Sequence, residues 1–184
     1  MPLSFSPLQK FENMPCLITA GLTKDCDYLL GGLKTLYLAN TSDVDSYTDT
    51  VPNDGEINAI VMVATKVFFT YEFENNTASF TNELVVSGGQ KYVAQTVNFS
   101  LSKKDAELIA DLKNLSLANI VAIAVDRTGK RFILGRINGL EATVQTLNSG
   151  VAEGDFGGLT VTLAGSETEY SQELDSAFDI STIL

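Results

Sequence analysis

The chain contains no histidine and no tryptophan, and only 12 Lys+Arg stand against 23 Asp+Glu in 184 residues. Each shortage excludes something. Without imidazole, Ser-His-Asp and Cys-His nucleophile systems, His-based metal sites and imidazole proton shuttles are unavailable within the chain. A formal net charge of −11 opposes wrapping of nucleic acid, where Lys and Arg must neutralise phosphates. It does not oppose DNA that passes nearby without adhering. The longest apolar runs, such as 120–125, span six residues, against the ~20 of a bilayer helix, so a soluble protein without a membrane span is expected. The opening residues, MPLSFSPLQKFENMP, lack the basic start and apolar core of a signal peptide. The two cysteines, Cys16 and Cys26, are too few for a closed zinc site without histidine. They are expected to be ordinary thiols in a reducing cytosol.

At 45% hydrophobic the chain is not disordered by composition, and its length corresponds to about one domain. Residues 1–30 read as an extended arm, because Pro2, Pro7 and Pro15 oppose both helix and central strand. A β domain is expected over 31–165. It begins with a strand at Lys34–Asn40, where Leu36 and Leu38 alternate with Thr35 and Tyr37. Residues 41–56, TSDVDSYTDTVPNDGE, carry five acids and no base and read as a long acidic loop ending in a Pro-Asn-Asp-Gly turn. A loop of that length is expected to be functional or disordered.

Strands are expected next at Ile57–Ala64 and Val67–Phe73, paired through a turn at Thr65-Lys66. Further strands follow at Thr77–Val86 and Lys91–Leu101, joined by Ser87-Gly88-Gly89. In the last, Val93, Val97, Phe99 and Leu101 share one face and Thr96, Asn98 and Ser100 the other, the period of a sheet with one wet side. A helix is predicted over about 103–116, with Ser102 as its cap and Leu108, Ile109, Leu112 and Leu115 as its apolar stripe. Ile120–Val125, Lys130–Gly135 (after the turn Asp126–Gly129), Leu140–Leu147 and Leu159–Leu163 complete the set. About nine strands and one helix make an all-β sandwich or barrel with one flanking helix. From Ser166 to Leu184 five more acids occur without a base, followed by Phe178, Ile180, Ile183 and Leu184. That composition suits an acidic C-terminal arm over 166–184 that docks on a neighbour or on its own domain.

Signatures of chemistry are missing. Neither a phosphate-binding P-loop nor a dinucleotide fingerprint occurs. Asp43-Val-Asp45-Ser-Tyr-Thr-Asp49 starts like a calcium loop, but Thr48 stands where the glycine is needed and Asp54 where the bidentate Glu is needed. Glu72 and Glu74 could pair as glycosidase carboxylates, yet read better as surface acids at a strand end. Asp126, Lys130 and Arg131 surround a tight turn. Phe68, Phe69, Tyr71 and Phe73 have almost no base beside them and read as core plus interface, not as a single-strand binding platform. No catalytic residue, cofactor or metal is expected.

Several stretches carry a resemblance: the double glycine and strand GGLKTLYLAN (31–40) after Cys16 and Cys26, the strand–helix joint VNFSLSKKDAELIADL, then IVAIAVDRTGKRFILGRINGLEAT and GGLTVTLAGSE (157–167). Their order over roughly 16–170 resembles bacteriophage tail tube and tail ring structural proteins, closest to those of phages infecting Bacteroidetes-type hosts. The resemblance implies a ring of six copies, or a multiple of six, with inner sheets joined edge to edge around a lumen that conducts DNA. It implies a place in the virion tail, assembly in the bacterial host cytoplasm and adjacent tail or connector proteins as partners. Candidate inter-subunit contacts are then Asp43, Asp45, Asp49 and Asp54 in the loop and Glu173, Asp175, Phe178 and Ile180 in the arm. A head-to-tail completion ring, a tail terminator or a secretion-system tube protein is the alternative. A carbohydrate- or surface-binding β module is disfavoured by the absence of Trp.

Overall fold

A computed structural model describes residues 30–49, 55–102 and 105–184. Residues 1–29, where an arm is expected and which include both cysteines, and Asp54 lie outside the described residues. Among the described residues the protein is mostly β-strand with a single α-helix.

Twelve strands are described: β1 (Leu33–Asn40), β2 (Val44–Thr48), β3 (Glu56–Ile57), β4 (Ala59–Met62), β5 (Phe69–Glu72), β6 (Ala78–Ser87), β7 (Gln90–Leu101), β8 (Ile120–Asp126), β9 (Arg131–Leu134), β10 (Glu141–Asn148), β11 (Gly158–Glu167) and β12 (Gln172–Leu174). They form a six-stranded sheet, β3-β12-β9-β8-β1-β5, a four-stranded sheet, β10-β11-β7-β6, and a two-stranded sheet, β2-β4. The helix α1 covers Ala106–Leu115.

The six-stranded sheet is the middle layer. Successive side chains on a strand point to opposite faces, and β8 is apolar at every position from Ile120 to Ala124, all buried. Ala122 and Ala124 enter a first core with Leu36 and Leu38 of β1 and with Val97, Phe99, Val161 and Leu163 of the four-stranded sheet. Val121 and Ile123 enter a second core on the other face with Ile57, Ile60, Phe68, Leu174 and Ile183. Leu108, Leu112 and Leu115 of α1 pack against the first core, as the stripe predicts. Ile109 does not follow them and stays half exposed.

Turn chemistry behaves as the sequence requires. Ser87 faces Gln90 across a two-residue loop in which Gly88 and Gly89 have φ of 58° and 82°. Positive φ at both central positions matches the twist of a hairpin and favours glycine. Asp126 closes the β8–β9 turn by accepting from the backbone N–H of Thr128 and Lys130, at 2.8 and 2.9 Å.

Three expectations are corrected. Residues 41–49 are not a loop: Thr41–Asp43 form a 3-10 turn and Val44–Thr48 are β2, antiparallel to β4. Burial of Val44, Tyr47 and Met62 against the second core stabilises that pairing. The hairpin between 57–64 and 67–73 does not form, because β4 pairs with β2 and β5 with β1. Phe68 is drawn into the second core while Tyr71 and Phe73 pack on the first, so the chain crosses between layers at that point. The helix begins after Asp105 and not after Ser102. Pairing of Leu101 with Leu159 keeps the preceding chain extended. Of the two expected dockings of the segment from Ser166, on a neighbour or on its own domain, the second is observed, after the segment begins as the end of β11. β12 inserts between β9 and β3, and the Ile183 carbonyl accepts from the Phe68 N–H at 2.7 Å.

Two predictions follow from this layering. Ile183→Ala leaves a cavity in the second core and is expected to cost about 3 kcal/mol of unfolding free energy, measured by urea denaturation. Asp43 anchors the start of β2: Asn40 Nδ2 donates to it at 2.7 Å and Lys66 Nζ lies 3.1 Å away. The Asn40 hydrogen bond, helped by Lys66 and opposed by burial, holds its carboxyl below the ordinary value of 3.8. A depressed acid contributes stability that is complete above its unfolded pKa and is lost as pH falls through the folded one. Asp43→Asn is therefore expected to destabilise by about 1 kcal/mol at neutral pH, and the difference from wild type should shrink below pH 3.8.

Candidate assembly surface

The four-stranded sheet turns one face to the first core and the other to solvent. Register fixes the outer set. Asn98 of β7, between the buried Val97 and Phe99, lies opposite Ser79 of β6 and Thr162 of β11. Continuing by twos, β6 presents Ser79, Thr81 and Glu83, and β7 presents Ala94, Thr96, Asn98 and Ser100. β11 presents Thr160, Thr162, Ala164 and Ser166. From β10 come Glu141, Val144, Thr146 and Asn148.

This face is hydroxyl- and amide-rich, includes the carboxylates Glu83 and Glu141, and carries no Lys or Arg among the described strand residues. Cross-strand hydrogen bonds stiffen it: Thr162 Oγ1 donates to Asn98 Oδ1 at 2.7 Å, and the Ser100 and Thr160 hydroxyls meet at 3.2 Å. Both edges are open among the described residues, since β6 pairs only with β7 and β10 only with β11. Such edges are pairing templates that proteins cover or join.

The acids singled out as contacts are mostly engaged within the chain. Asp43 is buried against Asn40 and Lys66. Asp49 lies 3.7 Å from Arg136, whose Nε also donates to Glu169 at 2.6 Å. Glu173 pairs with Lys130 at 3.0 Å. Asp175 accepts from the Ala177 N–H, which turns the chain toward Phe178. Phe178 and Ile180 pack on the second core, and the Phe178 carbonyl accepts from Arg131 at 2.7 Å. Asp45 is exposed on β2. Glu72 and Glu74 are exposed near the end of β5.

A buried polar cluster holds the junction between the sheets. Glu167, 1% exposed, accepts through Oε1 from the backbone N–H groups of Ile137, Asn138 and Gly139 at 3.2, 2.9 and 3.2 Å. Gln95, 2% exposed, accepts from the Gly135 N–H at 2.8 Å and donates to the Glu169 carbonyl at 3.1 Å. The turn must be tight: a Cβ on Gly139 would fall 1.6 Å from Asn119 Oδ1. Arg136 completes the cluster, lying 5.7 Å from the ring centroid of Tyr47. Burial, with the Glu167 charge adding and Arg136 opposing, pushes the Tyr47 phenol up to about 12, so it stays neutral. Gln95 had a sequence signal, a polar residue at a core position in Val93-Ala-Gln-Thr-Val97. Glu167 had none, because its donors lie about 30 residues away in sequence.

A groove of about 620 Å³ opens where β5 stops short of the end of β1. Leu38 and Asn40 of β1, Phe69 and Tyr71 of β5, and Asp111 and Leu115 of α1 line it. Burial and the nearby Asp111 charge raise the Tyr71 phenol above its ordinary pKa. Among the described residues no group of His, Cys, Asp and Glu is arranged to hold a metal, and no helix is long and apolar enough to cross a membrane.

Comparison with family models, curated proteins and solved structures finds no match.

Removing the acceptor shared by three N–H groups, one buried at Gly139 and two part-buried at Ile137 and Asn138, leaves them without their partner. Glu167→Ala is expected to cost about 3 kcal/mol, whereas Glu167→Gln, which keeps a carbonyl acceptor, should cost about 1 kcal/mol. Equal losses in thermal or urea unfolding would show that the hydrogen bonds do not carry the effect.

Proposed function

We propose that the protein is a structural subunit of a phage tail tube or tail ring, with no catalytic role, that closes into a ring conducting DNA through the virion tail. The four-stranded sheet carries this reading: two open edges flank a solvent face that has carboxylates and no base. Its strands alternate in direction, β10 and β7 one way, β11 and β6 the other. Rotating a copy about an axis along the strands sets β6 beside the next β10, antiparallel, so alternation continues around a ring of four strands per copy. Such a head-to-tail contact closes by rotation. A lumen lined in this way repels the phosphate backbone instead of releasing its counterions, so DNA slides and does not bind.

Ring formation in the host cytoplasm, with six copies or a multiple of six, is the stoichiometry the sequence resemblance implies. The test is the mass of purified protein by light scattering with negative-stain imaging. Annular particles or tubes are expected. A persistent monomer at high concentration, or a two-fold dimer, would overturn the proposal. Asn98→Lys with Thr162→Lys should leave the rings intact and make them retain DNA at low salt, with release on raising ionic strength. Retention of DNA by the unmodified ring would contradict a repelling lumen.

A further inference from the structure

The β6–β7 hairpin outruns the sheet to which it belongs. β11 last pairs with β7 at Glu167 opposite Val93, so the pairs Val85–Tyr92, Val86–Lys91 and Ser87–Gln90 project as a two-stranded tip. Val86 is 61% exposed, and Lys91 directly across from it is exposed too. One face of the tip thus offers a branched apolar side chain beside a primary ammonium.

The groove beside α1 has the opposite character. It offers the Asp111 carboxylate, the rings of Phe69 and Tyr71, and the C-terminal turn of α1 at Asn114 and Leu115. Helix C-termini carry partial negative charge and aromatic faces attract cations. Among the described residues no Lys or Arg forms an ion pair with Asp111, and Phe69 is 61% exposed.

We propose that the hairpin tip of one copy seats in this groove of the neighbouring copy, Lys91 against Asp111 and Val86 against Phe69 and Leu115. The inference rests on the ring reading. Direction supports it: β7 and β10 run the same way, so the tip leaves its sheet at the end where β10 begins. Gln90 stands six residues before Thr96, the residue level with the start of β10, a reach of about 20 Å at 3.3 Å per residue. In the neighbour, Leu140 just before β10 bridges to Ile120, which lines the groove. α1 lies beneath the inner face of β10, since Gln145, opposite the buried Val161, donates to the Leu112 carbonyl. Edge pairing of β6 with β10 therefore carries tip and groove to the same end of the joint.

The test combines charge exchange with cross-linking in the full chain. Lys91→Glu and Asp111→Lys alone should each weaken assembly by about fivefold in the concentration needed for rings, and together restore it. With Cys16 and Cys26 replaced by Ser, Val86→Cys with Asn114→Cys should give a ladder of covalent multimers on mild oxidation. Rings that form normally with every charge variant and give no ladder would overturn the seating and leave the ring reading standing. Failure of the wild-type chain to assemble would overturn both. Cross-links confined within single chains would also overturn the seating.

Discussion

The six-stranded sheet is apolar on both faces, and everything around it is shaped by the need to cover both. β8 shows the constraint most directly, with Ala122 and Ala124 entering one core and Val121 and Ile123 the other. Leaving either face wet would expose side chains whose burial contributes roughly 1.5–3 kcal/mol for each large residue. One cover is the four-stranded sheet, wide enough to pack on one side and stay wet on the other. The second is assembled from pieces: β2 and β4, Phe68, and the chain after β11 ending in Ile183. The C-terminal stretch is for this reason part of the fold.

Covering the second face with acid-rich chain creates an electrostatic problem, and the few bases answer it. Lys66 meets Asp43, Arg136 meets Asp49 and Glu169, and Lys130 meets Glu173. Exposed pairs of this kind contribute little singly. Lys130 and Lys66, more than half exposed or close to it, fall in that class. Arg136 differs because its side chain is only 22% exposed and touches two carboxylates and a ring. It ties β2, the 135–139 turn and the chain after β11 to one point. Beside it the buried Glu167 gathers three backbone donors on one oxygen and so pins the 137–139 turn to the end of β11.

What the sequence disclosed follows the range of the interaction. The β6–β7 and β8–β9 hairpins were legible because Gly88-Gly89 and Asp126 act on neighbours a few residues away. The stripe of α1 was legible because Leu108, Leu112 and Leu115 are spaced for one helix face. β2 was hidden, since Val44 and Tyr47 are sparse apolar marks in a run of acids and their partner strand lies beyond the intervening turn. The expected pairing of 57–64 with 67–73 failed for a related reason. A local turn is present, the Lys66 N–H reaching the Val63 carbonyl, but Phe68 and Tyr71 answer to different cores. The wet face of the four-stranded sheet was half visible, in Thr96, Asn98 and Ser100. Its full extent needed the register of three more strands.

The distribution of charge is what links fold to proposed role. Four of the bases, Lys66, Lys130, Arg131 and Arg136, hold the acid-rich chain or its carbonyls on the six-stranded side. None of them is available to the outer face of the four-stranded sheet. Charge among the described residues thus differs by layer: Asp43, Asp49, Glu169 and Glu173 are paired with bases where the acidic segments are folded back, whereas Glu83 and Glu141 face solvent. A sheet face meant to bind a polyanion would need the reverse allocation, because every phosphate contact requires a base. One meant only to surround a polyanion needs hydroxyls, amides and scattered carboxylates on a stiff, edge-joined support. The placement of these four bases is the structural observation on which the proposed role leans beyond the sequence resemblance.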